Sequence, residues 1–123
     1  MDIKPIRTKT DYRAALKAVE SLMGAKAHTP LGDRLDVLVT LIEGYERQHF
    51  PMDLPDAVEA IKFRMEQQGL TPKDLEPLIG RSNRVYEVLS RRRRLTLAMI
   101  QKLHVGLGIP AESLLRQTVL APT

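Results

Sequence analysis

Residues Arg81-Ser-Asn-Arg-Val-Tyr-Glu-Val-Leu-Ser-Arg-Arg-Arg-Arg94 decide the reading of this chain. Val85, Val88 and Leu89 recur at helical spacing, so a short helix from about Ser82 to Ser90 buries them and turns its opposite edge to solvent. That edge carries Asn83, Tyr86, Glu87 and Ser90, with Arg84 on its flank. Six arginines stand here against one acid, a net charge of +5, while the whole chain carries only +4. The positive charge is placed rather than spread. A cationic patch beside a short helix is the electrostatic footprint of a polyanion-binding surface, most often DNA.

Cap and turn signals extend the helical reading in both directions. Just upstream, Thr71 caps a helix over 72–79 with Pro72 at its first position, Leu75, Leu78 and Ile79 facing inward, and Gly80 turning the chain. Before it, a helix from Asp56 to Gln68 buries Val58, Ile61 and Met65 and stops at Gly69. Downstream, Thr96 caps a helix whose Ile100, Leu103 and Leu107 face the core before Gly108, and Pro110 opens a last short helix carrying Leu114 and Leu115. No segment alternates with a period of two, so no strand is needed. The fold class is all-α.

The first third reads as a helical hairpin. Thr10 is placed to cap a helix with Tyr12, Leu16, Val19 and Met23 on one face, ended by Gly24. Leu31, Leu35, Leu38, Ile42 and Tyr45 then alternate by four and three, with Val37 and Leu41 as a second row. A lone hairpin cannot hide both rows, so the exposed remainder of the stripe is a candidate partner or dimer surface. The proline-punctuated stretch His49-Phe-Pro-Met-Asp-Leu-Pro55 reads as a linker. The expected domains are therefore 1–53, the hairpin, and 54–123, five helices. The first is charge-neutral and the second carries +4.

Composition narrows the chemistry. With no cysteine there is no disulfide, no thiolate metal site and no cysteine nucleophile. His28, His49 and His104 are dispersed without carboxylates at ligand spacing, so no metal, no cofactor and no catalytic set is expected. Five aromatics without tryptophan disfavour stacking platforms for single strands. No apolar run approaches the roughly 18 residues of a membrane span, and the first residues lack a signal-peptide stretch. A soluble, cytoplasmic binding protein is expected.

Two short helices joined through Gly80, set among other short helices, make the arrangement that lets the second enter a DNA major groove. Asn83, Arg84, Tyr86 and Glu87 are then candidates for base readout, since Asn suits adenine, Arg guanine and Glu cytosine. Arg91, Arg92, Arg93 and Arg94 leave the helix end on a loop and suit phosphates, together with Thr71, Lys73, Arg81, Ser82 and Ser90.

At these residues the chain resembles a known family. Gly69-Leu-Thr-Pro-Lys-Asp-Leu75, Ile79-Gly-Arg-Ser-Asn-Arg-Val-Tyr-Glu-Val-Leu-Ser90, Arg92-Arg-Arg-Leu-Thr-Leu97 and Leu107-Gly-Ile-Pro-Ala-Glu112 are similar to the Xre (Cro-repressor-like) helix-turn-helix. More narrowly they resemble the HigA-type antitoxins, as do Asp33-Arg-Leu-Asp-Val-Leu and Gly44-Tyr-Glu46 of the hairpin. The resemblance implies a homodimer that binds its own double-stranded operator and neutralises a HigB toxin, a RelE-like mRNA endonuclease. Leu31, Leu35, Leu38, Ile42 and Tyr45 would then belong to a toxin-docking or dimer surface. The family usually has glycine where Arg91 stands and often serine where Tyr86 stands, and glutamine is common in the wider superfamily at Pro72. The rival reading is a stand-alone Xre-type regulator without a toxin.

Overall fold

The computed structural model describes residues 3–49 and 56–116, and every regular element among them is helical. The chain divides into two compact units, residues 1–54 and 55–123.

The first unit pairs α1 (Lys9–Leu22) with α2 (Pro30–His49). Thr8, not Thr10, caps α1. Its hydroxyl accepts the Asp11 N–H at 3.1 Å, and the Asp11 carboxylate accepts the N–H groups of Arg7 and Thr8 in return. That reciprocal box needs an acid three residues after the cap; three residues after Thr10 stands Arg13, which cannot close it. The same backbone donors hold the Asp11 carboxyl below its ordinary pKa.

Tyr12 near the start of α1 stacks on Tyr45 near the end of α2, ring centroids 5.0 Å apart, so the two helices run antiparallel. The Tyr12 hydroxyl donates to buried Glu46, giving that carboxylate a partner inside the hairpin. Val19, Leu35 and Ile42 are fully enclosed, each contributing about 1.5–3 kcal/mol relative to exposure. His49 stacks on Tyr45 at 4.1 Å and is the last residue of α2 rather than the first of a linker. The rest of the expected linker lies outside the described residues. The loop into α2 is closed by Thr29, which donates to the Lys26 carbonyl and accepts from Gly32 N–H. A Cβ on residue 32 would stand 2.1 Å from that carbonyl, so only glycine fits there.

The second unit contains α3 (Ala57–Gln68), a 3₁₀ turn (Pro72–Leu75), α4 (Glu76–Ile79), α5 (Ser82–Leu89), α6 (Leu97–Leu107) and α7 (Ala111–Leu115). Val58, Ile61, Leu75, Val85, Val88, Ile100, Leu103 and Leu114 form its core. Where one helix over 72–79 is expected, the chain breaks into a 3₁₀ turn and a single α-turn. Pro77 has no N–H to reach back to Lys73, and the Glu76 N–H takes the Lys73 carbonyl instead. Three other caps fall where the sequence puts them, whereas α1 ends with Met23 rather than Gly24 as its cap and Asp56 caps α3 instead of opening it. The Thr96 hydroxyl accepts the Met99 N–H at 3.2 Å, and Gly69 and Gly108 end α3 and α6 in the left-handed conformation. His104, beside the apolar row of α6, meets the Ile109 carbonyl at 2.8 Å and is a packing residue.

Candidate nucleic-acid interface

α5 is aimed by what it buries. Val85 and Val88 are enclosed and Leu89 is half-buried, while Ser82, Asn83, Arg84 and Tyr86 are exposed and Glu87 is half-exposed. The turn before it depends on Gly80, whose φ of +142° with ψ of −168° lies in territory essentially reserved for glycine. A Cβ there would also press on the Arg84 stem at 3.3 Å. The Arg84 chain is thus braced over the turn with its head at the helix surface. Arg81 occupies the N-cap position without a side-chain capping bond, leaving the first N–H groups of α5 uncovered by its own side chain.

The end of α5 carries the cationic turn, and its geometry is specific. Arg91 sits at φ +63°, its N–H bonded to the Val88 carbonyl at 3.1 Å, and the Arg92 N–H to the Glu87 carbonyl at 2.8 Å. This is a Schellman termination, with arginine where glycine is the low-strain residue. The chain reverses there, the Arg93 N–H also reaches the Glu87 carbonyl at 3.2 Å, and the guanidinium groups of Arg92 and Arg93 come back beside Tyr86 and Glu87 of α5.

Several of the expected contact residues are already engaged within the chain. The Arg91 Nε lies 3.2 Å from Asp56 Oδ2 and its Nη2 3.8 Å from Glu59 Oε1. Expected to contact phosphate, Arg91 instead ties the end of α5 to the start of α3, where Asp56 also caps the helix through the Glu59 N–H at 3.0 Å. Arg93 Nε lies 3.5 Å from Glu87 Oε1, so this acid is paired before any base could use it. Arg92 places its guanidinium carbon 5.9 Å from the Tyr86 ring centroid, a cation–π contact. Among the other candidates, the Thr71 hydroxyl donates to Asp74 and Ser90 donates to the Glu87 carbonyl at 3.3 Å. Ser82, Lys73 and Arg81 are exposed.

A groove of about 510 Å³ adjoins this edge, bounded by Lys62 of α3, Pro72 and Lys73, and Tyr86 and Leu89 of α5. Lys62 was not among the expected site residues; nothing in its local sequence sets it apart from other lysines. Among the described residues no three His, Cys, Asp or Glu side chains gather as a metal site, and no helix is long and apolar enough to cross a membrane.

The hairpin stripe divides sharply. Leu35, Leu38, Ile42 and Tyr45 are buried and form the core, so they are no surface for a partner. Alternation by three and four is the packing face of a hairpin helix, and α1 covers it. Leu31, 53% exposed, and Val37, 44% exposed, are what remains outside.

The link between Arg91 and Asp56 makes a stability prediction. Asp56→Ala removes a cap and the partner of a left-handed arginine, and should destabilise the second unit by about 2 kcal/mol. Arg91→Gly loses the pair but also sheds the left-handed cost, and should stay within about 0.5 kcal/mol of the parent. Urea denaturation of the three chains checks the ordering; a glycine variant weaker than the alanine variant would contradict it.

No protein-family model matches the chain. It is similar to proteins named antitoxin HigA from Escherichia coli (strain K12), E. coli O6:H1 (strain CFT073) and Shigella flexneri. Each is 33% identical over 109 residues, covering 85% of this chain and 78% of the relative.

Proposed function

This chain belongs to the family of HigA antitoxins, and from that premise we propose that it is a dimeric, operator-binding repressor that neutralises a HigB/RelE-like mRNA endonuclease by binding it. The second unit is the DNA-binding part in this reading. Its α5 enters the major groove, and two copies in a dimer reach successive grooves about one helical turn, or roughly 34 Å, apart. The hairpin unit holds the toxin or the dimer mate. Catalysis has no part in it.

One observation supports the DNA reading: the Schellman turn after α5 brings Arg92 and Arg93 back beside the exposed edge of the helix. An aimed polar edge with cations at its margin suits a duplex, where phosphates fix register and base edges supply sequence. Asn83 is the sharpest reader, exposed on α5 and able to pair bidentately with adenine. Glu87 is a poorer one, since its use would first require release of Arg93.

Asn83→Ala should therefore cost roughly 1–3 kcal/mol on the enriched operator and almost nothing on random duplex. Arg92→Ala should weaken both alike. Fluorescence anisotropy on the two duplexes separates the cases, and equal losses for Asn83→Ala on cognate and random DNA would sink the base-reading role.

A further inference from the structure

The exposed edge of α5 is not uniformly polar. Tyr86 stands in its middle with 61% of its surface open to solvent. Beside it runs the groove lined by Ser82, Val85, Leu89, Pro72 and Lys73, in which the carbon surface of a proline, a valine and a leucine faces the same space as the tyrosine ring. The ring is steadied by Arg92. The neighbouring acid, Glu87, is matched to Arg93 at 3.5 Å and presents little unpaired charge to a cytosine amine. The apolar centre has Lys62, Lys73 and the carboxylate of Glu76 in its lining and Arg92 over the tyrosine ring, a net positive rim that suits a ligand anionic at its margins and apolar in one spot.

The major groove of B-DNA has such a spot. Donors and acceptors line the edges of every base pair, and the 5-methyl of thymine is the apolar feature among them. We propose that Tyr86 is a specificity-determining residue, packing its ring and the adjoining groove against the 5-methyl group of a thymine in each half-site. This rests on the operator-binding reading above and adds to it the identity of a base that α5 selects. A serine at this position would offer a hydroxyl and no such surface. Two chains differing here would choose different operators on otherwise similar helices.

The test uses the full-length chain and a random duplex library. Duplexes enriched by the wild-type protein are resynthesised with uracil replacing each thymine in turn, which removes one methyl group and leaves the pairing edge intact. One thymine per half-site should respond, with wild-type affinity falling about fourfold per methyl lost. Tyr86→Ala should bind thymine and uracil versions of that position equally, and Tyr86→Phe, which keeps the ring, should retain the discrimination. Because Tyr86 is exposed, neither variant threatens the fold. Enriched duplexes indifferent to uracil at every position, or uracil sensitivity surviving in Tyr86→Ala, would overturn the proposal while leaving operator binding intact. Failure to enrich any duplex would overturn operator binding, and the proposal with it.

Discussion

If the chain binds an operator as proposed, raising salt from about 50 to about 200 mM is expected to weaken that binding roughly ten-thousandfold. The expectation counts phosphates, not arginines. Arg91 is held by Asp56 and Glu59, and Arg93 by Glu87, so neither brings a whole charge to DNA. Arg81, Arg92, Arg94 and Lys73 are the phosphate contacts of the proposed reading, about four phosphates per protomer and eight per dimer. Each releases about 0.9 of a counterion, which sets a log–log slope near −7. Arg81→Ala should flatten that slope by about 2 in the dimer, and Arg91→Ala should leave it nearly unchanged. Anisotropy titrations across a salt series read all three. A parent slope flatter than about −3 would mean that the cationic turn does not meet the backbone.

That contrast between two arginines ten positions apart also marks how far the residues could be read without coordinates. Helix positions and most ends were legible, because Thr96, Gly69 and Gly108 act through bonds to neighbours a few residues away. The exposed edge of α5 was legible for the same reason: two buried valines and a half-buried leucine fix the direction of a short helix whatever surrounds it. Where two local signals competed, the weaker rule misled. Thr8 and Thr10 are both capping residues, and only the position of Asp11 decides between them. Pro77 disrupts a helix that Pro72 begins. The pairing of Arg91 with Asp56 was beyond reach, since its partners lie 35 and 32 positions away and meet it only when α3 packs on α5. The pairing of Arg93 with Glu87 depends on a left-handed residue between them, and the sequence there is arginine, not the glycine that announces such a turn.

On the hairpin, the same separation of buried from exposed predicts an effect on toxin neutralisation of over a hundredfold. Val37 and half-buried Leu41, one turn apart on α2, make a short apolar strip outside a hairpin core that is already complete, and exposed Leu31 stands about 120° around the helix from Val37. If that strip and Leu31 both dock the toxin, an aspartate placed at Val37 or Leu31 would be buried there without a partner. The cost is about 3 kcal/mol in a dry interface, more than a hundredfold in affinity. Both sites are solvent-facing in the hairpin, so helical content should be unchanged and DNA binding kept. Ile42→Ala is the opposite case: fully enclosed, it should destabilise the hairpin by about 2–5 kcal/mol and lose neutralisation only through unfolding. Measuring inhibition of toxin RNA cleavage beside the circular dichroism melt of each variant separates a lost surface from a lost fold. Val37→Asp and Leu31→Asp proteins that still neutralise at parent concentrations would remove this strip from the interface, and with Leu35, Leu38, Ile42 and Tyr45 occupied by the core, the outer row of α2 would have no part in capturing the toxin.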